Sequence, residues 1–517
     1  MNQMKKYLQF PIVVILVLTV WGCEKLDVQD LNNPNRASLN NTPQDLENLG
    51  EASYYNFWYN SRLPNVELPS ETAADQFTAS WYNFGWEQAS NEPRLAWDNT
   101  VAGDVNNDRV TENFYYGSYG VITQVNTVIK KVVQDKIKLS GGKHNARILA
   151  LCYLIQGISY GNLGLVFDKA FIVTENTKDI LNLPAVPYNV IKDTAIKSLL
   201  KVINICDSSN FTLPGRIFNS TDVSNTYLKQ LANTYIAKFE VLTCRNKASN
   251  DTVNWNSVLQ HSLNGITSDF GSYFDGMPGE GGHWYDLNLY YLVLQGYARI
   301  DCRIINLIDP AYPKHYPSNG KPPKVHPELL AGQAERKDFR LYNGNNPDSI
   351  KDFQYLSSVN FKAERGYYHY SNYRYSRFDS LLFYQGTGLL YEFRQYENDL
   401  YQAEAYVMTN QLSNAIAILN DHKKPRIARG HLSEIPLSAL KTEVLNAIFY
   451  ERDIELIAQG FMLGFCDMRR RDILQPGTFL HYPIPGLELQ TLNMDYYTFG
   501  GTSNEDGINV SNGGWFK

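Results

Sequence analysis

The chain has 517 residues, with 47 Lys and Arg against 53 Asp and Glu, so its net charge of −6 leaves no basic surplus for a nucleic-acid partner. Its 36 Tyr, 24 Phe and 8 Trp are too many for a disordered chain. Mean hydropathy is −0.35 and no apolar run reaches the roughly 18–20 residues that span a bilayer, which argues against a polytopic membrane protein and for a large globular body.

Lys5 and Lys6 precede an apolar stretch from Phe10 to Trp21, the length of a signal-peptide core. Val20-Trp21-Gly22-Cys23 then sets a small residue before a cysteine, which resembles a bacterial lipobox, with Trp21 where a small residue is usual. Residues 1–22 are expected to be a lipoprotein signal peptide, and Cys23 the lipidated N-terminus of the mature chain. Acyl chains such as palmitate contribute about 0.8 kcal/mol per buried methylene, so several on one cysteine anchor a globular body. The alternative is a signal peptide ending beside a chance cysteine. The Asn- and Pro-rich stretch to residue 44 reads as a flexible tether. Cys152, Cys206, Cys244, Cys302 and Cys466 show no CxxC or zinc spacing and read as buried thiols; a single disulfide among them stays open.

Helical periodicity dominates from residue 45 onward. Thr42-Pro43 predicts a helix start before Leu46, Leu49 and Ala52, and a further helix spans 114–133. Amphipathic helices are predicted near 144–164, 188–206, 224–245, 253–264, 284–308, 394–408, 411–420 and 438–460. In 400–420, Ala403, Tyr406, Ala415 and Leu419 take the small-residue and aromatic places of a tetratricopeptide helix pair; 144–164 and 228–264 look like degenerate versions. Long loops are expected at 61–111, 209–223, 266–283, 309–360 and 472–517. The fold class is mostly α: a tetratricopeptide-like scaffold carrying large irregular loops, in one domain over 45–517.

Catalytic motifs fail on context. Gly157-Ile158-Ser159-Tyr160-Gly161 spells a nucleophile elbow, but the elbow needs a strand–turn–helix and this stretch has helical spacing. Asp104, Asn106 and Asp108 begin like a calcium loop, yet Arg109 and Tyr115 occupy the turn-glycine and bidentate-glutamate places. No HExxH, P-loop or helix-opening GxGxxG occurs, and the sequence implies neither a metal nor a cofactor.

Aromatic clusters are the remaining candidates. Those at 54–59 and 114–119 lie in helices and read as core. Trp81, Tyr82 and Trp86 fall in a stretch broken by Gly, Asn and Pro, while Trp284 and Tyr285 follow the Gly-rich segment 274–283. Rings in such loops can stack on the C–H faces of sugars, so these five are the candidate ligand contacts.

The C-terminal third carries a resemblance. Residues 393–406, with Arg394, Glu397, Leu400, Ala403, Glu404 and Ala405, followed by 415–420, resemble a helix pair of the SusD/RagB family of outer-membrane nutrient-binding lipoproteins. Glu451, Arg452, Glu455, Leu456, Gly460, Phe465, Asp467, Arg469 and Arg470 resemble its closing signature, and Asp338-Phe339-Arg340-Leu341 and Tyr482-Pro483-Ile484-Pro485 resemble two further motifs. Gln459, Met462-Leu463 and the tail after Asn493 depart from it. Read physically, Glu451, Arg452, Asp467 and Arg469 suit an ion-pair lattice that holds the last helix to the C-terminal loop.

The resemblance implies four tetratricopeptide-like helix pairs, a ligand site on the loop-rich side, and a SusC-like TonB-dependent transporter as partner. It implies binding of a glycan, or a peptide in some members, without catalysis, at the outer membrane facing the cell exterior. The expected function is capture of an oligosaccharide for that transporter. Rival readings are a surface serine hydrolase using Ser159 and a transporter scaffold that binds no ligand.

Overall fold

The computed structural model describes residues 42–180, 182–314, 338–342, 350–356, 361, 369–383, 386, 388–501 and 514–516. The expected signal peptide, Cys23 and nearly all of the tether lie outside the described residues, as do Pro317, Pro322, Pro323, Pro327, Tyr367 and Tyr368. The chain divides into two units, Met1–Leu46 and Glu47–Lys517. Of the first unit, only Thr42–Leu46 is described, opening helix α1 (Pro43–Arg62). Thr42 caps the helix as the sequence predicts: its Oγ1 accepts the Asp45 amide at 3.1 Å, and the Asp45 carboxylate accepts the Thr42 amide at 3.3 Å, which completes a reciprocal cap.

The second unit contains the predicted helices in order, α3 (Val110–Val133), α4 (Asn145–Val166), α5 (Tyr188–Ser208), α6 (Asn225–Leu242), α7 (Trp255–Leu263), α8 (Gln395–Met408), α9 (Leu412–Leu419) and α10 (Lys441–Ile454), together with two that the sequence reading does not give, α2 (Glu67–Ala73) and α11 (Leu463–Arg470). Successive helices pack on one another from α3 to α7. α7 then meets α8, and α8 packs on α9 and α10, so a continuous array forms despite the long insertion at 264–394.

α4 is the centre of that array. It is long and apolar enough to cross a membrane, a run the hydropathy reading overlooks, but 94% of its apolar window is buried against other helices. Its glycines let the neighbours close in. Gly157 faces Leu199 of α5, and a Cβ on Gly161 would lie 2.0 Å from the Phe239 ring of α6. The letters of the nucleophile elbow are therefore a helix-packing surface. Ser159 is buried in mid-helix, and its hydroxyl has no hydrogen-bond partner among the described residues. The serine-hydrolase reading loses its nucleophile.

Among the described residues, five small sheets decorate the helices. β1 (Phe77–Ala79) pairs antiparallel with β3 (Ala298–Ile300), and β2 (Phe270–Tyr273) with β7 (Leu389–Phe393). β4 (Leu341–Tyr342), β5 (Phe353–Tyr355) and β6 (Tyr373–Tyr375) form the one three-stranded sheet among the described residues. Two predictions need correction here. The single helix expected over 284–308 is a helix (Leu287–Val293), strand β3 and a second helix (Cys302–Ile308), whose start Asp301 caps by accepting the Arg303 amide at 2.8 Å. The expected loop 61–111 contains α2, β1 and the short helices Trp86–Ser90 and Val101–Asn106. All five described cysteines are buried and free.

Ion pairs lock the C-terminal helices. Arg452 of α10 and Arg470 of α11 both reach Glu404 of α8, at 2.6 and 2.8 Å, and Asp467 of α11, at 3.0 and 2.6 Å. Beside them, Arg340 binds Asp338 (2.7 Å), Glu451 (2.9 Å) and Glu455 (3.2 Å). The sequence places Arg469 in the same lattice, but it does another job. It donates to the carbonyls of Leu165, Leu242 and Leu480 at 3.0, 2.9 and 2.7 Å, tying α4, α6 and the C-terminal loop together. Burial alone would raise Glu455, but Arg377, Arg340, Arg429 and Arg394 outweigh it and hold the carboxyl down at about 2.

Two tests follow from this packing. Gly161→Ala forces its Cβ into the Phe239 ring and is expected to cost about 1–3 kcal/mol in chemical unfolding, with Phe239→Leu relieving part of that loss in the double variant. In acid, Glu455 contributes stability that is full above its unfolded value of 4.5 and is lost as pH falls toward about 2, a shift worth about 3 kcal/mol. Glu67 has the opposite sign. Burial and Asp286 raise it to about 8, so its contribution declines as pH rises from 4.5 toward 8. Thermal unfolding against pH is expected to peak on the acid side of neutrality, with Glu67→Gln flattening the alkaline limb and Glu455→Gln the acid limb.

Candidate functional site

The β1–β3 pairing brings two distant stretches into one aromatic platform. The Ser80 amide donates to the Tyr297 carbonyl at 2.9 Å. The Ser80 hydroxyl and the Trp81 indole both donate to the Gly296 carbonyl, at 2.6 and 3.1 Å. These bonds lay the Trp81 ring parallel to Tyr297, with centroids 4.5 Å apart and planes 14° from coplanar. Tyr291 stands 5.6 Å from Tyr297, Tyr290 5.8 Å from Tyr291, and Phe383 5.8 Å from Tyr290. Trp81 remains 36% exposed, Tyr82 52% and Phe383 39%, so the row forms part of the surface rather than the core.

A tight turn holds this platform. Phe84 and Gly85 have φ of +60° and +71°, and a Cβ on Gly85 would lie 2.5 Å from the Trp97 ring, so glycine is required there. The Phe84 amide donates to the Asp108 carboxylate at 2.9 Å, and Thr111 donates to Asp104 at 2.6 Å. The carboxylates that resemble a calcium loop thus serve the turn and the start of α3. Burial, partly offset by the Thr111 bond, raises Asp104 to about 6. The turn also swings Trp86 inward. Contrary to the sequence expectation, Trp86 is wholly buried, edge-on to Phe84 at 5.6 Å.

Trp284 and Tyr285 sit elsewhere. The Asp275 carboxylate accepts the His283 and Trp284 amides at 2.8 and 2.7 Å, closing the Gly-rich segment into a loop. Trp284 lies over α1, stacked on Tyr54 (6.1 Å, 26°) and edge-on to Tyr55 (5.1 Å). Tyr285 is buried, its ring 6.5 Å from Tyr59. Among the described residues, no ring contact links this group to the Trp81 row. Arg62 closes its base, over the Trp58 ring at 4.5 Å and paired with Asp286 and Glu392 at 2.9 Å each.

The five residues named from sequence therefore separate. Trp81 is on the platform, Tyr82 follows it at the exposed surface, Trp284 is a half-buried ring packed on α1, and Trp86 and Tyr285 are buried. Sequence reasoning missed Tyr290, Tyr291, Tyr297 and Phe383. The signal available for the first three was Gly296, which interrupts the supposed helix and places Tyr297 in a turn. The platform's chemistry is that of ring faces and phenol hydroxyls, suited to stacking and hydrogen bonding. Trp86→Ala is expected to cost about 3–5 kcal/mol in unfolding free energy as a large cavity opens, whereas Trp81→Ala costs far less because part of that ring is already in water.

No family model matches the sequence, and no curated protein matches it. Solved structures do. A SusD-like carbohydrate binding protein from Bacteroides vulgatus is 15% identical, with 83% of each chain covered and a TM-score of 0.52. A SusD superfamily protein from Bacteroides thetaiotaomicron is 14% identical over 87% of this chain and 96% of its own, with a TM-score of 0.56. A SusD homolog from the same organism is 11% identical over 89% and 97%, with a TM-score of 0.53. The fold expected from the resemblance is the fold found: this chain is built on the SusD-like helical scaffold.

Proposed function

We propose, from this fold and platform, that the protein is a surface lipoprotein that captures an oligosaccharide and delivers it unchanged to a SusC-like TonB-dependent transporter in the outer membrane. Lipidation at Cys23 would provide the anchor, and its support is the lipobox-like sequence alone. One observation carries the saccharide reading: the exposed Trp81 ring backed in parallel by Tyr297. An exposed indole normally gains by folding onto nearby apolar surface. This one is held out by its hydrogen bond to Gly296 and by the phenol ring against it, a preorganised flat surface suited to a pyranose face. The Bacteroides vulgatus protein of the same fold, described as carbohydrate binding, supports the same reading. The lost Ser159 nucleophile supports capture over hydrolysis.

Calorimetric titration with plant, host-mucin and microbial oligosaccharides and with peptides, followed by product analysis, tests this reading. The expected outcome is saturable binding of a saccharide that is recovered intact, weakened at least about tenfold by Trp81→Ala or Tyr297→Ala and little changed by Trp284→Ala. Binding of peptides alone would transfer the platform to a peptide-capture role. Cleaved products would replace capture with an enzyme.

A further inference from the structure

One charged side chain beside the platform has two unpartnered guanidinium nitrogens, where other buried arginines among the described residues have at most one. Arg299 on β3 is 1% exposed, and among the described residues no carboxylate pairs with it. Its Nη1 donates to the Gln295 carbonyl and, at 3.2 Å, to that of Ala298. Its Nε and Nη2 have no hydrogen-bond partner. Other buried guanidiniums, Arg452 and Arg469 among them, leave a single nitrogen unpartnered; among the described residues Arg299 alone leaves two. Arg303, Arg340 and Arg470 have carboxylates at 2.7, 2.9 and 2.6 Å, while Arg245 is ringed by carbonyls and His481. Phe361 covers Arg299 on one side, with its centroid 5.2 Å away, and desolvation together with the nearby Arg374 cation pushes its pKa down to about 9. A buried cation facing a second cation and an apolar ring is unfavourable unless an anion joins it.

The position and orientation of those free nitrogens are specific. Trp81 and Arg299 grip the same turn at neighbouring carbonyls, Gly296 and Gln295. Gln295 itself is exposed, so the guanidinium lies directly under a surface turn of the platform. Nε and Nη2 form one edge of the guanidinium, the fork that binds a carboxylate through two parallel hydrogen bonds. We infer that the Nε–Nη2 edge of Arg299 is a carboxylate subsite of the Trp81–Tyr297 platform, and that the captured ligand is an acidic oligosaccharide carrying a uronate-type carboxylate. The inference rests on the saccharide reading above and narrows it to a charged class.

The test is a set of matched pairs titrated into the protein: oligogalacturonate against its fully methyl-esterified form, and hyaluronan oligosaccharides against their carboxyl-reduced forms. The expected result is that one acidic member binds at least about tenfold more tightly than its uncharged counterpart, an advantage that shrinks as salt is raised. Arg299→Gln should abolish that preference while leaving weak binding of the neutral member; Trp81→Ala should weaken both members together. Thermal unfolding of each variant checks that it folds. Should Arg299→Gln fail to fold, Arg299→Lys keeps the charge without the fork and is expected to retain only part of the preference. Equal or better binding of uncharged members, or a preference that survives in either Arg299 variant undiminished, overturns the carboxylate subsite and leaves the saccharide reading standing. Absence of binding by every saccharide, charged or neutral, overturns both.

Discussion

The fully buried lattice of Glu404, Arg452, Asp467 and Arg470 is the constraint on which the rest of the molecule hangs. Two guanidiniums and two carboxylates leave water together, and each desolvation is offset only if both partners arrive in register. Three helices supply them: α8, α10 and α11. A slip of one residue in any of the three would strand a charge in the core. The lattice therefore selects one docking of the last helices, even though a set of apolar residues of equal volume could hold them as firmly. Arg469, one position before Arg470, then extends that choice to the carbonyls of α4, α6 and the closing loop. The Arg340 group does the same for residues 338–341, fastening the far end of the long insertion to α10.

Against this rigid frame, the two aromatic groups show how packing decides what a ring is for. Trp284 is contacted by Tyr54, Tyr55 and Trp58, so its faces are taken up by the chain itself. Trp81 has one neighbour in parallel and is otherwise open. Both follow the same local chemistry, a loop closed by hydrogen bonds to main-chain or carboxylate oxygens. The difference lies in the element underneath: a helix dense in aromatic residues for Trp284, and a two-strand ribbon for Trp81.

Much of the scaffold was legible because amphipathic helices leave a period in the sequence. Thr42-Pro43, the small residues of 400–420 and the charged residues of 448–470 each had a physical reason to be where they are. The region 284–308 misled for an equally physical reason. Its apolar residues run densely on both sides of a strand buried at every position, and so dense a run satisfies helical spacing by default. Gly296 and Asp301, a turn and a cap, were the available corrections. Trp86 misled because punctuation by Gly and Asn marks a turn without saying which way the next side chain points; the left-handed conformations of Phe84 and Gly85 decide that. The pairing of residues near 78 with those near 299 left no trace in one sequence, so the platform could not be assembled from it.

That pairing also joins segments far apart in the chain. The Trp81 indole and the Gly296 carbonyl are 215 residues apart, and the helices α3 to α7 lie between them. Each of those helices finds its partner next in the chain, where closure is entropically cheap, while the ribbon that carries the platform joins ends that only a finished array brings near. The proposed binding surface is thus a seam between segments far apart in the chain. A sugar bound across Trp81 and the turn at 296, as proposed, would lie over both sides of that join, so occupancy and closure would reinforce one another.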